Sequence, residues 1–244
     1  RACRQRTPLS LCSVAPGQRL ADKQHPRTRI GFDAAELPAL DRTLAALDLY
    51  AETVLCRLGV SPWQSVLRLR DDLSALRQIG RIELLYSLSS QDDASNARQA
   101  AEALFAAALL PDSRLYLDPI IDLDRTMDVC HGVLDTQCNP RPVFEVLRCL
   151  NALFKPHGQT VWTPRTIGEN HQMLPQLHGP QTVFSLLVCD AAKTHLSTAD
   201  VSPFNDLLSF YHLAQGSVER CSLSQLDELN LSLPALVVQS PNSL

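Results

Sequence analysis

The chain has 244 residues, 45% of them hydrophobic, and a formal net charge of −4. That fits one large domain, or a medium one with a small companion, and leaves enough apolar residues for a sizeable core. No dense Lys/Arg run appears, which argues against a nucleic-acid partner, and the longest apolar run, "AAEALFAAALL", falls short of the about 20 residues that a bilayer span needs.

Residues 1–28 read as an amino-terminal tail, mildly basic from Arg1 to Arg6 and solvated. Residues 29–34, "RIGFDA", read as a short strand with a polar exit. Leu37, Leu40, Leu44 and Leu47 then fall at helical spacing behind Glu36-Leu37-Pro38. "TVLCRLGV" at 53–60 is the next strand, and Pro62 is placed to open a helix with Val66, Leu69, Leu73 and Leu76 on one face. Gly80 is expected at that helix's stop. "RIELLYSL" at 81–88 is a third strand. Asp92, Asp93 and Ser95 then offer a cap and first-turn acids to a helix striped with Ala97, Ala100, Ala101, Leu104, Phe105 and Ala108. "RLYLDPII" at 114–121 is the fourth strand. After a polar loop, Asn139-Pro140-Arg141-Pro142 launches a helix to about residue 154.

Four strand–helix units with short connections predict a parallel sheet, either open or a piece of a closed barrel. The character changes after Lys155-Pro156-His157-Gly158. The segments 181–191, 207–223 and 229–240 read as strands, with a hairpin turn at Ala214-Gln215-Gly216-Ser217. Pro234 places its strand at an edge or a bulge. The expected organisation is therefore a parallel α/β part over 29–155 and a small antiparallel β domain over 159–244.

Ligands bind parallel βα arrays at the carboxyl ends of their strands. That selects Asp33, Arg57, Ser87, Asp118, Asp122, Asp124, Arg125 and His131 as candidate ligand-binding residues. The three acids past the fourth strand, Asp122, Asp124 and Asp128, suit sugar hydroxyls, with Arg125 to orient a carboxylate. The plainer reading is a loop salt bridge between Asp124 and Arg125 with the other acids facing water. Arg57, inside a strand, needs a carboxylate partner, and Asp33 or Asp118 could supply it. Trp63, Trp162 and Tyr86 are expected as packing residues. The eight cysteines include no C-x-x-C pair and imply a reduced setting. Cys130, His131 and Cys138 match no zinc template, so neither metal nor other cofactor is expected. No charged-then-apolar leader is visible, and the expected location is the cytoplasm.

Two stretches carry a family resemblance. Gly132-Val133-Leu134-Asp135 followed by Asn139-Pro140-Arg141-Pro142 resembles the "G-L-x-D…x-P-R/K-P" turn before the last helix of clan A glycoside hydrolases. "FYHLAQGSVERCSLSQLDELNLSLPALVV" is similar to the closing strands of the β-sandwich that trails such barrels, with His212 where the pattern has Asp. The likeness covers about residues 81–240, and the first two βα units fit it. It implies the carboxyl-terminal half of a (β/α)₈ TIM-type barrel, a trailing β-sandwich-like domain and O-glycosidic bond hydrolysis in the parent family.

That hydrolysis uses two carboxylic acids, about 5 Å apart in retaining members. The acid/base would precede this chain's strands. Ser87, Ser89 and Ser90 stand where the resemblance puts the nucleophile, and Glu83 comes earlier in its strand. The expected function is a glycosidase-like, carbohydrate-active protein, incomplete or catalytically degenerate as this chain. The alternative is a non-catalytic carbohydrate-binding or scaffold protein. The expected partners are a saccharide and either a second copy of the chain or a missing barrel half.

Overall fold

The computed structural model describes residues 9–11, 31–110, 112–122, 131–157, 160–167, 174–188, 207–222 and 233–239. The chain is mixed α/β, with a parallel sheet and a separate six-stranded antiparallel sheet. It divides into two units, residues 1–86 with 112–116, and residues 87–111 with 117–244.

The parallel sheet contains β1 (Leu9–Leu11), β2 (Phe32–Asp33), β3 (Ala51–Arg57), β4 (Ile79–Ser87) and β5 (Leu115–Asp118), in the order β1-β3-β4-β5 with β2 also against β3. Strand β3 pairs in parallel with β1, β2 and β4. Among the described strands the sheet is open, and no closed barrel forms. Strand β1 lies within the segment read as a tail, and the strand expected over 29–34 is only two residues long. Gly80 does not stop a helix: it sits inside β4, where a Cβ would meet the Tyr50 hydroxyl and, at 3.0 Å, the Glu52 carbonyl. The glycine allows the close approach of β4 to Tyr50 and the Glu52 backbone of β3.

Helices α1 (Leu37–Ala46), α2 (Pro62–Leu73), α3 (Asp93–Ala107) and α4 (Pro142–Phe154) form where the stripes are predicted, but Leu47, Leu76 and Ala108 lie past the ends of α1, α2 and α3, and Leu47 is 63% exposed. Proline in the first turn of α1, α2 and α4 fixes φ where the N–H has no partner to lose. The Asp92 carboxylate caps α3, accepting from the Ala94 and Ser95 N–H groups at 3.3 and 2.8 Å. Small residues Ala97, Ala100, Ala101 and Ala103 are all buried on α3, which packs on α4. Trp63, Trp162 and Tyr86 are buried, as packing residues should be. No described helix is long and apolar enough to cross a membrane.

The antiparallel sheet runs β10-β9-β11-β8-β7-β6. Its strands are β6 (Thr163–Ile167), β7 (Leu174–His178), β8 (Val183–Leu187), β9 (Leu207–His212), β10 (Ser217–Ser222) and β11 (Ala235–Gln239). Strands β6 and β7 escape the sequence reading because Pro164 and Pro175 interrupt them; β6 is an edge, where proline is tolerated. Strand β11 is internal, contrary to expectation. Pro234 stands just before it, and its carbonyl accepts the Leu213 N–H at 3.1 Å, so no ladder donor is lost. Phe184 of β8 packs edge-on against Phe154 and tilted against Trp162, at centroid distances of 5.3 and 5.2 Å. The opposite face of the sheet holds a buried polar pair, Gln176 Nε2 donating to Ser185 Oγ at 2.9 Å.

Candidate functional site

In the first unit, pairing registers sort the parallel sheet's side chains by face. Thr53, Leu55 and Arg57 of β3 share a face with Arg81, Glu83 and Leu85 of β4, and Asp33 lies beside Arg57. Val54, Cys56, Ile82 and Leu84 fill the other face and are buried. At the strand ends Arg57 Nη2 donates to Asp33 Oδ1 at 2.5 Å, which settles the sequence alternatives in favour of Asp33. Gly31, at φ +82°, leaves room for the Arg57 stem, since a Cβ there would lie 2.9 Å from Arg57 Cγ. The Glu36 carboxylate accepts the Asp33 backbone N–H at 2.8 Å and fixes the turn. Beside them, burial pushes the Cys56 thiol up to about 12, only partly offset by the charge of Arg57, so it is no thiolate nucleophile at neutral pH.

Lower on the same face Tyr116 Oη donates to Glu83 Oε2 at 3.0 Å. Arg81 Nη2 donates to both Glu83 Oε1 and Thr53 Oγ1 at 3.3 Å. Sequence reasoning set Glu83 aside as too early in its strand and did not select Arg81 or Tyr116. The alternation of charge with apolar residues in "GRIELLYS" was the signal that could have found two of them.

The second unit gathers the ends of two strands and the loop that carries the Gly132–Pro142 turn. The Leu88 N–H donates to the Asp118 carbonyl at 2.7 Å, joining the strand ends, and the Asp118–Pro119 peptide is cis. The returning chain lies against residues 119–122: Val133 N–H donates to the Pro119 carbonyl, Leu134 N–H to that of Ile120, and Asp122 N–H to that of Leu134. Gly132 is needed here, because a Cβ would meet the Leu134 carbonyl at 2.5 Å and the Asp122 nitrogen at 2.7 Å. Asp135 folds the rest of the turn, accepting the Gln137 and Asn139 N–H groups and the Asn139 side-chain amide, each at 2.8 Å. The Asn139 bonds, side chain first, hold the Asp135 carboxyl below its usual range.

This turn delivers Arg141 into a knot. Its Nη2 donates to Asp122 Oδ2 at 2.6 Å, and its Nη1 to Asp93 Oδ1 and Oδ2 at 3.0 and 3.2 Å. Asp122 Oδ1 accepts the Gly132 N–H at 2.6 Å, so both oxygens of a carboxylate only 3% exposed are engaged. Burial draws Arg141 toward its neutral form, but Asp122 and Asp93 outweigh it and raise its pKa above the ordinary arginine value. Nearby, His131 Nδ1 lies 2.8 Å from the Ser90 carbonyl, which only accepts. Nδ1 therefore carries the proton, and in the neutral ring Nε2 is an acceptor. Asn96 brackets the same residue, accepting the Ser90 N–H and donating to its carbonyl.

The predicted residues thus meet different fates. Asp33 and Arg57 pair with each other in the first unit. In the second, Asp122 is clamped, His131 is fixed, and Ser87 and Asp118 are exposed at adjoining strand ends. Asp124 and Arg125, with the salt bridge considered for them, lie outside the described residues. The arginine that holds Asp122 is Arg141, which the sequence reading took only as part of a helix start. Among the described residues no group of three His, Cys, Asp or Glu side chains could hold a metal ion.

No family model matches the chain, and no curated protein is similar to it. Solved structures give distant likenesses. A glycoside hydrolase family 5 protein from Bacteroides vulgatus aligns over 83% of this chain and 58% of its own, with 12% identity and a TM-score of 0.48. Another glycoside hydrolase aligns over 86% and 62%, with 12% identity and a TM-score of 0.46. An Anoxybacillus alpha-amylase aligns over 86% and 57%, with 7% identity and a TM-score of 0.42. The chain therefore spans less than two thirds of the length of each of these proteins.

Proposed function

We propose that the chain is a carbohydrate-active protein of glycosidase type that holds a saccharide and does not, as this chain, cleave a glycosidic bond. The observation that carries the second half is the Arg141 knot. Two-carboxylate hydrolysis needs one acid protonated and one free to attack or to activate water. Asp93 and Asp122, the acids gathered at one arginine in the second unit, are both ion-paired with it, and Asp122 is sealed from solvent. The first half is supported by the "G-V-L-D…N-P-R-P" stretch, whose residues build a closed turn between a strand end and a helix, as the sequence resemblance requires of them.

The test combines binding with turnover. The chain is titrated calorimetrically with α-1,4- and β-1,4-linked glucose hexamers, then incubated with them while reducing ends are counted. Binding without new reducing ends is the expected outcome. Release of reducing ends that stays with the chain through repeated purification would overturn the non-catalytic half, whether or not Asp124→Ala abolishes it. Absence of binding to every saccharide tried would overturn the whole reading. Asp124→Ala and Arg125→Ala are expected to weaken binding if their loop belongs to the ligand site.

A further inference from the structure

We propose that Tyr116, Glu83 and Arg81, on the mixed face of the parallel sheet, form a subsite for a neutral saccharide ring. The inference rests on the carbohydrate reading above and gives it a place in the first unit, away from the strand-end residues that sequence reasoning selects. Tyr116 leaves 43% of its surface exposed. Its hydroxyl is already bound to Glu83, so the ring is held in one orientation before any ligand arrives. An exposed aromatic ring fixed in this way offers a flat apolar platform.

The groups around the ring select the ligand by exclusion. The Glu83 side chain is only 14% exposed, and its two oxygens accept from Arg81 and Tyr116, leaving further lone pairs. Arg81 is 42% exposed and has N–H groups beyond those given to Thr53 and Glu83. Arg81 and Glu83 are ion-paired, so together they offer no net charge to draw in an anionic or a cationic ligand. A wholly apolar ligand would strip water from both without replacing their hydrogen bonds. A pyranose fits: its C–H face lies on the Tyr116 ring, while hydroxyls on its rim donate to Glu83 and accept from Arg81.

The test uses the full chain and the same glucose hexamers as probes. Tyr116→Ala is expected to lower affinity about tenfold or more. Tyr116→Phe keeps the ring and is expected to lower it only about threefold, and Glu83→Gln falls between the two. The unfolding midpoint of each variant is measured alongside. Tyr116→Phe keeps the proposal testable if Tyr116→Ala is unstable, because loss of the hydroxyl alone must still weaken binding. If the chain binds a hexamer and none of the three substitutions weakens it, the subsite is wrong and the carbohydrate reading stands. If no hexamer binds the parent chain, both fall together.

Discussion

Arg57 and Arg141 each hold a carboxylate close to a strand end, yet their surroundings differ. Arg57 and Asp33 keep 26% and 43% of their side-chain surfaces in contact with solvent. Arg141 keeps 16%, and its partner Asp122 only 3%. Each arginine leaves its Nε buried without a partner among the described residues, so neither is ideally satisfied. The difference lies in what a break would expose. Water can solvate Asp33 if Arg57 leaves, because the pair sits at the surface. Water cannot reach Asp122 without opening the turn that Gly132 and Asp135 build. One arrangement is therefore a site able to exchange partners, and the other is a structural clasp.

Replacing Arg141 should separate the two most sharply. Arg141→Met leaves Asp122 charged, buried and bound only by the Gly132 N–H, and should lower unfolding free energy by about 3 kcal/mol or more in urea titration. Arg141→Lys should recover little of it, because one ammonium cannot reproduce the fork that spans Asp122 and Asp93. A loss below about 1 kcal/mol for Arg141→Met would put the clasp in the same class as a surface pair.

Asp33→Asn is the counterpart and should change stability by less than about 1 kcal/mol. Double-mutant cycles sharpen the contrast: coupling between Arg141 and Asp122 should exceed that between Arg57 and Asp33. Equal couplings would remove the distinction drawn here.

The smallest effect concerns acid. The Asp135 carboxyl is held low in the folded chain, so the unfolded chain binds its proton more readily. Its contribution is then fully present above the ordinary aspartate range near about 3.9 and is lost as pH falls through the lower folded value. The stability difference between the parent and Asp135→Ala should be greatest near neutrality and shrink on acidification. A difference that stayed constant down to strongly acidic pH would show that the carboxylate form is not what the turn needs.

Periodicity made the four helices legible, because apolar stripes coincide with marked starts: Pro62 and Pro142 open α2 and α4, and Asp92 caps α3. The Arg57–Asp33 pair was also within reach, since an arginine in a strand demands a carboxylate and few neighbours could provide one. The clasp was not. Arg141 stands 19 residues from Asp122 and 48 from Asp93, and only the folded turn makes them neighbours. Strands β6 and β7 were hidden by Pro164 and Pro175, which local propensity penalises; Pro164 lies on the edge strand, and Pro175 stands just before the β7–β8 pairs, which begin at Gln176.

The buried pair Gln176–Ser185 has a consequence for how the antiparallel sheet finds its alignment. Gln176 faces Ser185 across β7 and β8, while the next pair, Leu177 and Phe184, turns to the aromatic cluster. Sliding β7 by one residue would drive Gln176 into that cluster and set Leu177 against the Ser185 hydroxyl. Gln176 Oε1 would keep its 2.9 Å contact with His178 Nε2 of the same strand, but Gln176 Nε2 and the Ser185 hydroxyl would lose each other, at about 1–3 kcal/mol apiece. In its native alignment the same contact adds only about 1 kcal/mol. The pair acts as a key, raising the energy of misaligned pairings by more than it strengthens the native one.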